Sequence, residues 1–144
     1  MKTKVDCFII YAEKESTEIT VNQLKNQQDV GQIFLITTNA RLPQINGAKI
    51  IVVEEFYASA TLVEMTKAVK ENFFVVYDKP SPLSLSYNTI SRMLVVADAT
   101  EADMIYADHF SVENDKVVRA ECIDYQYGAI RNDFDFGSCV LYRT

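Results

Sequence analysis

The sequence predicts an α/β domain whose sheet is largely parallel and covered by helices, and two observations lead to this fold class. Short runs of apolar, β-branched and aromatic residues recur along the chain, as in strands that are buried on both faces. Segments whose apolar residues have helical spacing lie between these runs. Because strands and helices alternate, we expect parallel pairing through right-handed crossovers, which is a Rossmann-like arrangement with helices on both faces.

Five apolar runs are the candidate strands of the core sheet. They cover residues 5–11, 33–37, 49–53, 73–77 and 104–107. Polar residues follow each run, at the point where a strand would meet a loop. After Phe110 the pattern changes, because Asn114 and Asp115 form a turn signal between two short extended pieces, which predicts a β-hairpin. Residues 138–144 predict one more strand at the end of the chain.

Three segments between the strands are predicted helices. The clearest carries an apolar stripe with steps of four, three, four and three residues. Its members are Leu83, Tyr87, Ile90, Leu94 and Ala97. Ser81 before Pro82 marks its start, since a capping hydroxyl followed by proline is typical of a helix N-terminus. A second helix is predicted over residues 59–70, and a weaker third over residues 16–28. The stripe of the second consists of Leu62, Met65 and Val69.

Composition excludes several classes of protein. The chain has 144 residues, of which 49% are hydrophobic and 24% charged, so we predict that residues 1–144 form one domain. A net charge of -6 has the wrong sign for binding a phosphate backbone, so no nucleic acid partner is expected. The sequence lacks the glycine-rich loop of P-loop hydrolases. Three cysteines without CxxC spacing, and no signal peptide or transmembrane segment, indicate a cytoplasmic protein.

Residues that directly follow the apolar runs are the candidate site residues, because ligands of open parallel sheets bind outside the carboxyl ends of the strands. Asp78 and Asp108 follow two runs that are expected to be neighbouring strands. Their carboxylates could hold a divalent ion or a ribose hydroxyl, or both could be solvated loop residues. His109 is the only histidine. It is either a catalytic or metal-binding residue or a partly exposed loop residue.

Two stretches of sequence resemble a known family. One is YADH at residues 106–109, at the end of a predicted strand, and the other is RNDFDFG at residues 131–137. Together with the order of the strands, they resemble bacterial family-2 glycosyltransferases with the GT-A fold. In that family a strand ending in Y-S-D-Y, a hairpin and an R-D-D-F-D-F-G segment lead into the acceptor-binding half. The resemblance covers essentially the whole chain and is strongest after Ala102.

The resemblance implies a nucleotide-diphospho-sugar transferase fold and transfer of a sugar from a nucleotide-diphosphate donor to a hydroxyl of a glycan or lipid-linked acceptor, as in polysaccharide biosynthesis. It places Tyr11, Ala12 and Glu13 in the first donor-binding loop. Asn39 stands near the family's aspartate that contacts the nucleotide, and an amide can still form hydrogen bonds there. The first carboxylate of the family's DXD metal motif falls at Asp78, and Asp108 also lines the implied donor crevice.

This sequence departs from the family pattern at two places. Pro80 stands where the second carboxylate of the DXD motif is expected, so Asp78 alone would bind Mg²⁺ or Mn²⁺. Lys79 could supply positive charge to a diphosphate instead. The family's catalytic base and acceptor loops follow the strand at which this chain ends, so no catalytic residue is assigned. The resemblance thus implies that the chain is either the donor-binding part of a longer protein or a shortened relative of the family. In both cases we expect the isolated chain to have low activity.

Two expectations remain beside the glycosyltransferase hypothesis. The chain could instead be a non-catalytic α/β module, for interaction or architecture, whose degenerate crevice binds no nucleotide. The missing DXD carboxylate favours that alternative. If a further region normally follows Ser138, apolar surface would be uncovered at the C-terminal edge, and self-association through that edge is expected.

Overall fold

The computed structural model of the chain describes residues 3–122, 124, 126–128, 131 and 134–144. Its eight described strands are β1 (Val5–Ile10), β2 (Val30–Thr37), β3 (Lys49–Val52), β4 (Phe73–Tyr77), β5 (Met104–Ile105), β6 (His109–Glu113), β7 (Lys116–Ala120) and β8 (Cys139–Arg143). Its three described helices are α1 (Lys14–Lys25), α2 (Ser59–Ala68) and α3 (Thr89–Thr100). The predicted α/β class, with a late hairpin and a final strand, is confirmed.

Six strands form one sheet in the order β3-β2-β1-β4-β8-β5, and β6 and β7 form a separate hairpin. Strands β3, β2, β1 and β4 pair in parallel. β8 is antiparallel to both of its neighbours, β4 and β5. The expectation that Asp78 and Asp108 follow neighbouring strands is therefore wrong, because β8 separates β4 from β5. An apolar run indicates that a strand is buried, but it does not identify the strand beside it.

The last strand is an interior strand and not an uncovered edge. Val140 and Leu141 of β8 are buried, and the strand pairs on both sides. The prediction of a free C-terminal edge after Ser138 is thus wrong, and the self-association that was expected through it loses its basis.

Helices cover both faces of the sheet. On the first face, α1 and α3 pack through Leu24 and Leu94 onto β1 and β4. On the second face, α2 packs through Met65 onto Phe8 and Phe34. No helix in the part of the chain that the structure describes has both the length and the apolar character to cross a bilayer.

An aromatic row crosses the second face of the sheet, with one ring from each of four adjacent strands. Phe8 stacks on Phe34 with ring centroids 5.0 Å apart, and it meets the edge of Phe74 at 5.8 Å. Phe74 in turn stacks on Tyr142 at 5.4 Å. The row links β2, β1, β4 and β8, so it joins the parallel part of the sheet to the antiparallel strand.

The helix predicted from Ser81 and Pro82 begins later, at Thr89. The preceding residues are drawn into tertiary contacts: the backbone N–H of Leu83 donates to Thr20 Oγ1 at 3.0 Å, and the Leu83 side chain packs against the core. Tyr87, a member of the predicted stripe, is 71% exposed. Local capping signals at Ser81 are thus overridden by contacts with α1, whereas the later part of the stripe is buried in α3 as predicted.

Three other predicted elements differ in detail. In α2 the buried residues are Thr61 and Met65, while Leu62 is 61% exposed, so the predicted stripe is wrong at that position. α1 spans residues 14–25 instead of 16–28. β2 begins at Val30, three residues earlier than predicted.

An irregularity between β1 and β2 explains the early start of β2. The register shifts between Val5 and Cys7, where β2 has one more residue than β1. The buried carboxylate of Asp6 accepts the N–H of Gln32 at 2.8 Å. Its second oxygen accepts the N–H groups of Lys70 at 2.7 Å and Glu71 at 3.4 Å. Asp6 therefore joins β1, the bulge in β2 and the connection from α2 to β4.

The predicted hairpin is confirmed. β6 and β7 pair from His109 with Ala120 to Glu113 with Lys116. The turn residues Asn114 and Asp115 have φ values of 50° and 61°. Positive φ at both central residues is characteristic of a type I′ hairpin turn, and Asn and Asp tolerate it better than most residues.

Candidate functional site

The carboxyl ends of β1, β2, β3, β4 and β5 lie at one edge of the sheet, since these strands run in the same direction. Strand order reverses beside β1, because β2 and β3 lie on one side of it and β4 lies on the other. Such a reversal opens a crevice in which α/β proteins bind ligands. Ile9 pairs with Tyr77, so Tyr11 and Lys79, two residues further along each strand, lie at the mouth of this crevice.

The first predicted loop forms one wall of the crevice. Tyr11 is half-buried, packs against the core, and donates its N–H to the carbonyl of Ile36 at 2.9 Å. Ala12 and Glu13 are exposed. Glu13 occupies the N-cap position of α1 and makes no side-chain cap hydrogen bond. The carboxylate of Glu13 is thus not consumed by the helix.

Asn39 lies in the loop after β2, where its side chain shapes the backbone. Its Oδ1 accepts the N–H of Arg41 at 2.9 Å, and its own N–H donates to Thr37 Oγ1 at 3.0 Å. The amide oxygen therefore closes a local turn of the Asx type. The amide NH₂ group of Asn39 could still donate a hydrogen bond to a ligand.

Asp78 directly follows β4 and stands at the centre of the carboxyl edge. Its Oδ1 atom is buried and has no hydrogen-bond partner among the described residues. Next to it, Tyr77 donates its hydroxyl to the carbonyl of Ser81 at 2.7 Å. Burial raises the pKa of Tyr77, and the negative charge of Asp78 adds to the rise. Since a buried carboxylate oxygen without a partner is costly, this atom is the strongest structural pointer to a ligand.

The residues around Asp78 do not form a metal cage. No group of three or more histidine, cysteine, aspartate or glutamate side chains with metal-binding placement occurs in the described ranges. Pro80 contributes no ligand in place of a second carboxylate, and Lys79 is exposed. A divalent ion at Asp78 would take one carboxylate from the described residues, and water and the diphosphate would have to supply its other ligands.

Asp108 is engaged in holding the hairpin. Its Oδ1 accepts the N–H of Cys122 at 2.9 Å, and its Oδ2 lies 3.3 Å from Arg119 Nη2. These contacts lower the pKa of Asp108, the backbone hydrogen bond most strongly. The carboxylate therefore anchors the base of β7 to the end of β5.

His109 lies beside Asp108 and faces the entry to β8. Its Nδ1 atom is buried and has no hydrogen-bond partner in the part of the chain that the structure describes. A Cβ atom added at Gly137 would lie 3.1 Å from this nitrogen. Asn132 and Asp133, two residues of the RNDFDFG segment, lie outside the described residues.

Two features of the structure have little or no signal in the sequence. The insertion of β8 between β4 and β5 brings Gly137 to His109, although the two residues are far apart in the chain. Asp6 supports the opposite end of β1. The sequence signal for its role is that Asp6 lies within an apolar run. A carboxylate in such a run is expected to be buried and therefore hydrogen-bonded.

Two open depressions lie away from the carboxyl edge. One, of about 370 Å³, runs along the outer side of α3, and the other, of about 340 Å³, lies at the start of β2 and β3. Neither is lined by any of the predicted site residues. Within the described ranges, the site is therefore defined by strand ends and by buried polar atoms that lack partners there.

The strand order and the antiparallel β8 give an α/β fold that resembles the GT-A-like fold of nucleotidyltransferases. Among solved structures, the chain is similar to nucleotidyltransferases. One is CMP:2-keto-3-deoxy-manno-octonic acid synthetase complexed with CTP, with a TM-score of 0.62 and 13% identity over 98% of this chain and 74% of that one.

Two further structures show the same likeness. Bifunctional IspDF from Campylobacter jejuni has a TM-score of 0.58 and 9% identity, over 98% of this chain and 41% of that one. The 2-C-methyl-D-erythritol 4-phosphate cytidylyltransferase from Thermus thermophilus has a TM-score of 0.52 and 15% identity, over 81% of this chain and 63% of that one. No family model and no curated protein matches the sequence. The comparisons therefore define the fold.

Proposed function

We propose that residues 1–144 act as one nucleotide-sugar-binding domain of a family-2-like glycosyltransferase, which presents a nucleotide-diphosphate sugar for transfer to an acceptor hydroxyl. The observation that carries this proposal is Asp78. Its buried carboxylate oxygen, beside the crevice between β1 and β4, has no hydrogen-bond partner among the residues that the structure describes. A sugar or ribose hydroxyl would satisfy that oxygen.

The crevice offers complementary groups to the other parts of such a donor. The half-buried ring of Tyr11 gives an apolar surface for the base, and the amide NH₂ of Asn39 can donate to it. Lys79 is exposed beside the crevice mouth, where its charge would face the diphosphate. The acceptor would be a glycan or lipid-linked hydroxyl in the cytoplasm, as in polysaccharide biosynthesis.

Nucleotidyl transfer is the second candidate, and the similarity to a synthetase that was solved with CTP favours it. One feature of this chain weighs against it. The connection from β1 to α1 is residues 11–13, and it contains no glycine. A short loop without glycine is poorly suited to wrap several backbone N–H groups around a triphosphate. A diphosphate that meets Lys79 fits this edge better.

Calorimetric titration of the purified chain separates these functions. The panel contains UDP, GDP, CTP, UDP-glucose and GDP-mannose, each with and without Mn²⁺. Binding of a nucleoside diphosphate and its sugar derivative supports the glycosyltransferase proposal, whereas binding of CTP alone supports nucleotidyl transfer. If none of them binds, the non-catalytic module becomes the better description.

Asp78→Asn is expected to weaken binding of the nucleotide sugar by about 10-fold or more, because hydrogen bonds to a charged group contribute roughly 1.5–3 kcal/mol. Calorimetry measures the change in dissociation constant. Asp98→Asn is the matched control, since Asp98 is exposed on α3. This variant should bind the nucleotide sugar with the affinity of the wild type. An unchanged dissociation constant for Asp78→Asn would remove Asp78 from the site.

A further inference from the structure

Asn46 and Gly47 form an exposed turn in the connection from β2 to β3. The N–H of Ala48 donates to the carbonyl of Ile45 at 3.3 Å, and Gly47 has a φ of 91°. Positive φ at the third residue of a turn is characteristic of type II turns and favours glycine there. Asn46 and Gly47 also line the open depression of about 340 Å³ at the start of β2 and β3. Water therefore reaches the Asn46 side chain.

This pair of residues allows a reaction that the other asparagines of the chain do not share to the same degree. Of the eight asparagines, only Asn46 is followed by glycine. A glycine nitrogen can approach the Cγ atom of the preceding asparagine without hindrance from a Cβ atom. The attack closes a five-membered ring, and such an intramolecular step needs no second molecule to be captured. Asn46 is thus the asparagine most open to attack by its own backbone.

No hydrogen bond restrains the two reacting groups among the described residues. There, the N–H of Gly47 has no acceptor, and the side chain of Asn46 has no hydrogen-bond or ion-pair partner. Asn39 differs, because its Oδ1 accepts the N–H of Arg41 at 2.9 Å and closes a local turn. The amide of Asn39 is therefore held in place, whereas that of Asn46 is free to rotate toward the next backbone nitrogen.

A cation lies beside the reacting nitrogen. The side chain of Lys25, from the last turn of α1, crosses Gly47. A Cβ atom added at Gly47 would lie 3.0 Å from Lys25 Nζ and 2.9 Å from its Cδ. Attack on Cγ of Asn46 places negative charge on the amide oxygen, and a nearby ammonium group stabilises such charge. The missing side chain at position 47 thus admits both the attack and the cation.

We propose that Asn46 is a site of deamidation, at which the backbone nitrogen of Gly47 displaces the side-chain amide. The Gly47 nitrogen loses its proton and bonds to Cγ of Asn46. The bond from Cγ to Nδ2 breaks, and ammonia leaves with that proton. Water then opens the cyclic imide at one of its two carbonyls. One opening gives aspartate, and the other gives isoaspartate, in which the main chain runs through the side-chain carboxyl carbon.

The product differs from the original chain in charge and in backbone length. The new carboxylate lies close to Lys25, and the net charge of -6 becomes more negative by one unit. Isoaspartate adds one main-chain carbon between the buried Ile45 and Lys49, the first residue of β3, which pairs with Phe34. Because β3 lies at the edge of the sheet, the added length falls where it disturbs only one strand pair.

Incubation of the purified chain at neutral and at mildly alkaline pH, followed by peptide mapping with mass spectrometry, tests the site. Deamidation should be faster at Asn46 than at any other asparagine, and faster at the higher pH, because the attacking nitrogen must lose a proton. Methylation by an isoaspartate-specific methyltransferase identifies the second product. Asn46→Gln should abolish the early change in charge, since glutamine would have to close a larger ring. Asn22→Gln, at an exposed position on α1, is the matched control and should leave the rate unchanged.

Two further variants test the neighbours of Asn46. Gly47→Ala should slow deamidation by about 10-fold or more, and circular dichroism checks its folding, because alanine is strained at this φ. Lys25→Met removes the ammonium group from an exposed position and should slow the reaction by about 2- to 5-fold, as expected of one surface charge.

The outcomes separate the site from the role of its neighbours. If Asn46 of the folded chain deamidates no faster than Asn39, the proposal is overturned. If Lys25→Met reacts at the rate of the wild type, the cation has no role, and the assignment then depends on the rates of Asn46→Gln and Gly47→Ala. Early deamidation that persists in Asn46→Gln would place the reaction elsewhere in the chain and would also overturn the proposal.

Discussion

Replacing Asp6 with alanine is expected to lower the free energy of unfolding by about 3–5 kcal/mol, among the largest effects of any single substitution. The carboxylate is fully buried and accepts N–H groups from Gln32 and Lys70 at 2.8 and 2.7 Å, and from Glu71 at 3.4 Å. Without it, these donors lose their acceptor inside the protein. Urea unfolding followed by circular dichroism measures the change.

A second substitution and a control make the Asp6 result specific. Asp6→Asn keeps the side-chain volume but replaces one accepting oxygen with an NH₂ group. Because backbone N–H groups donate to both oxygens of Asp6, this NH₂ group meets a donor in either orientation of the amide. The substitution should still cost about 2 kcal/mol. Asp98→Ala removes an exposed carboxylate from α3 and should stay within about 0.5 kcal/mol of the wild type. Asp6→Ala with wild-type stability would contradict the role of this carboxylate.

Phe8→Ala is expected to cost about 3–5 kcal/mol, because it leaves a cavity in the middle of the aromatic row. Phe8 is 1% exposed and contacts the rings of both Phe34 and Phe74. A domain of this size is stabilised by only about 5–15 kcal/mol, so the variant would approach the limit of folding. The same urea titration gives the difference in free energy.

Two further variants test whether packing at Phe8 is the cause. Phe8→Leu retains most of the buried volume and should cost clearly less than Phe8→Ala, about 1–2 kcal/mol. Phe110→Ala makes the same truncation on the hairpin, where the ring is 69% exposed, and should have little effect. Equal losses of unfolding free energy for Phe8→Ala and Phe110→Ala would show that burial of the Phe8 ring does not account for its contribution to stability.

Several elements could be predicted from local sequence alone. The apolar runs of β1 and β4 mark buried strands, because a strand covered on both faces needs continuous apolar residues and this property is local. The run of β3 predicted a strand but not its burial, since β3 lies at the edge of the sheet and Ile50 and Val52 are 39% and 49% exposed. The hairpin followed from Asn114 and Asp115, which tolerate the positive φ of its turn. Alternation of these elements with helices was sufficient to predict the α/β class.

The predicted site residues could be located by rule but not characterised. Tyr11, Asn39, Asp78 and Asp108 all follow strands that end at the carboxyl edge, as their positions after apolar runs implied. Their hydrogen-bond states differ, however: Asp108 is used by the hairpin and Asn39 by its own turn, while Asp78 retains a buried oxygen with no partner in the described residues. Sequence position alone does not separate these cases.

The sequence by itself determined the strands, the hairpin and the α/β class of this protein, whereas only the tertiary structure decided how the elements meet. The start of α3 moved to Thr89 because Leu83 bonds to Thr20 on α1. β8 entered the sheet between β4 and β5, which brought Gly137 to His109 and separated that residue from Asp78. Strand pairing joins residues that are distant in the chain, and the same apolar run can pair with a parallel or an antiparallel neighbour. The order of the strands therefore depends on the packing of the whole domain.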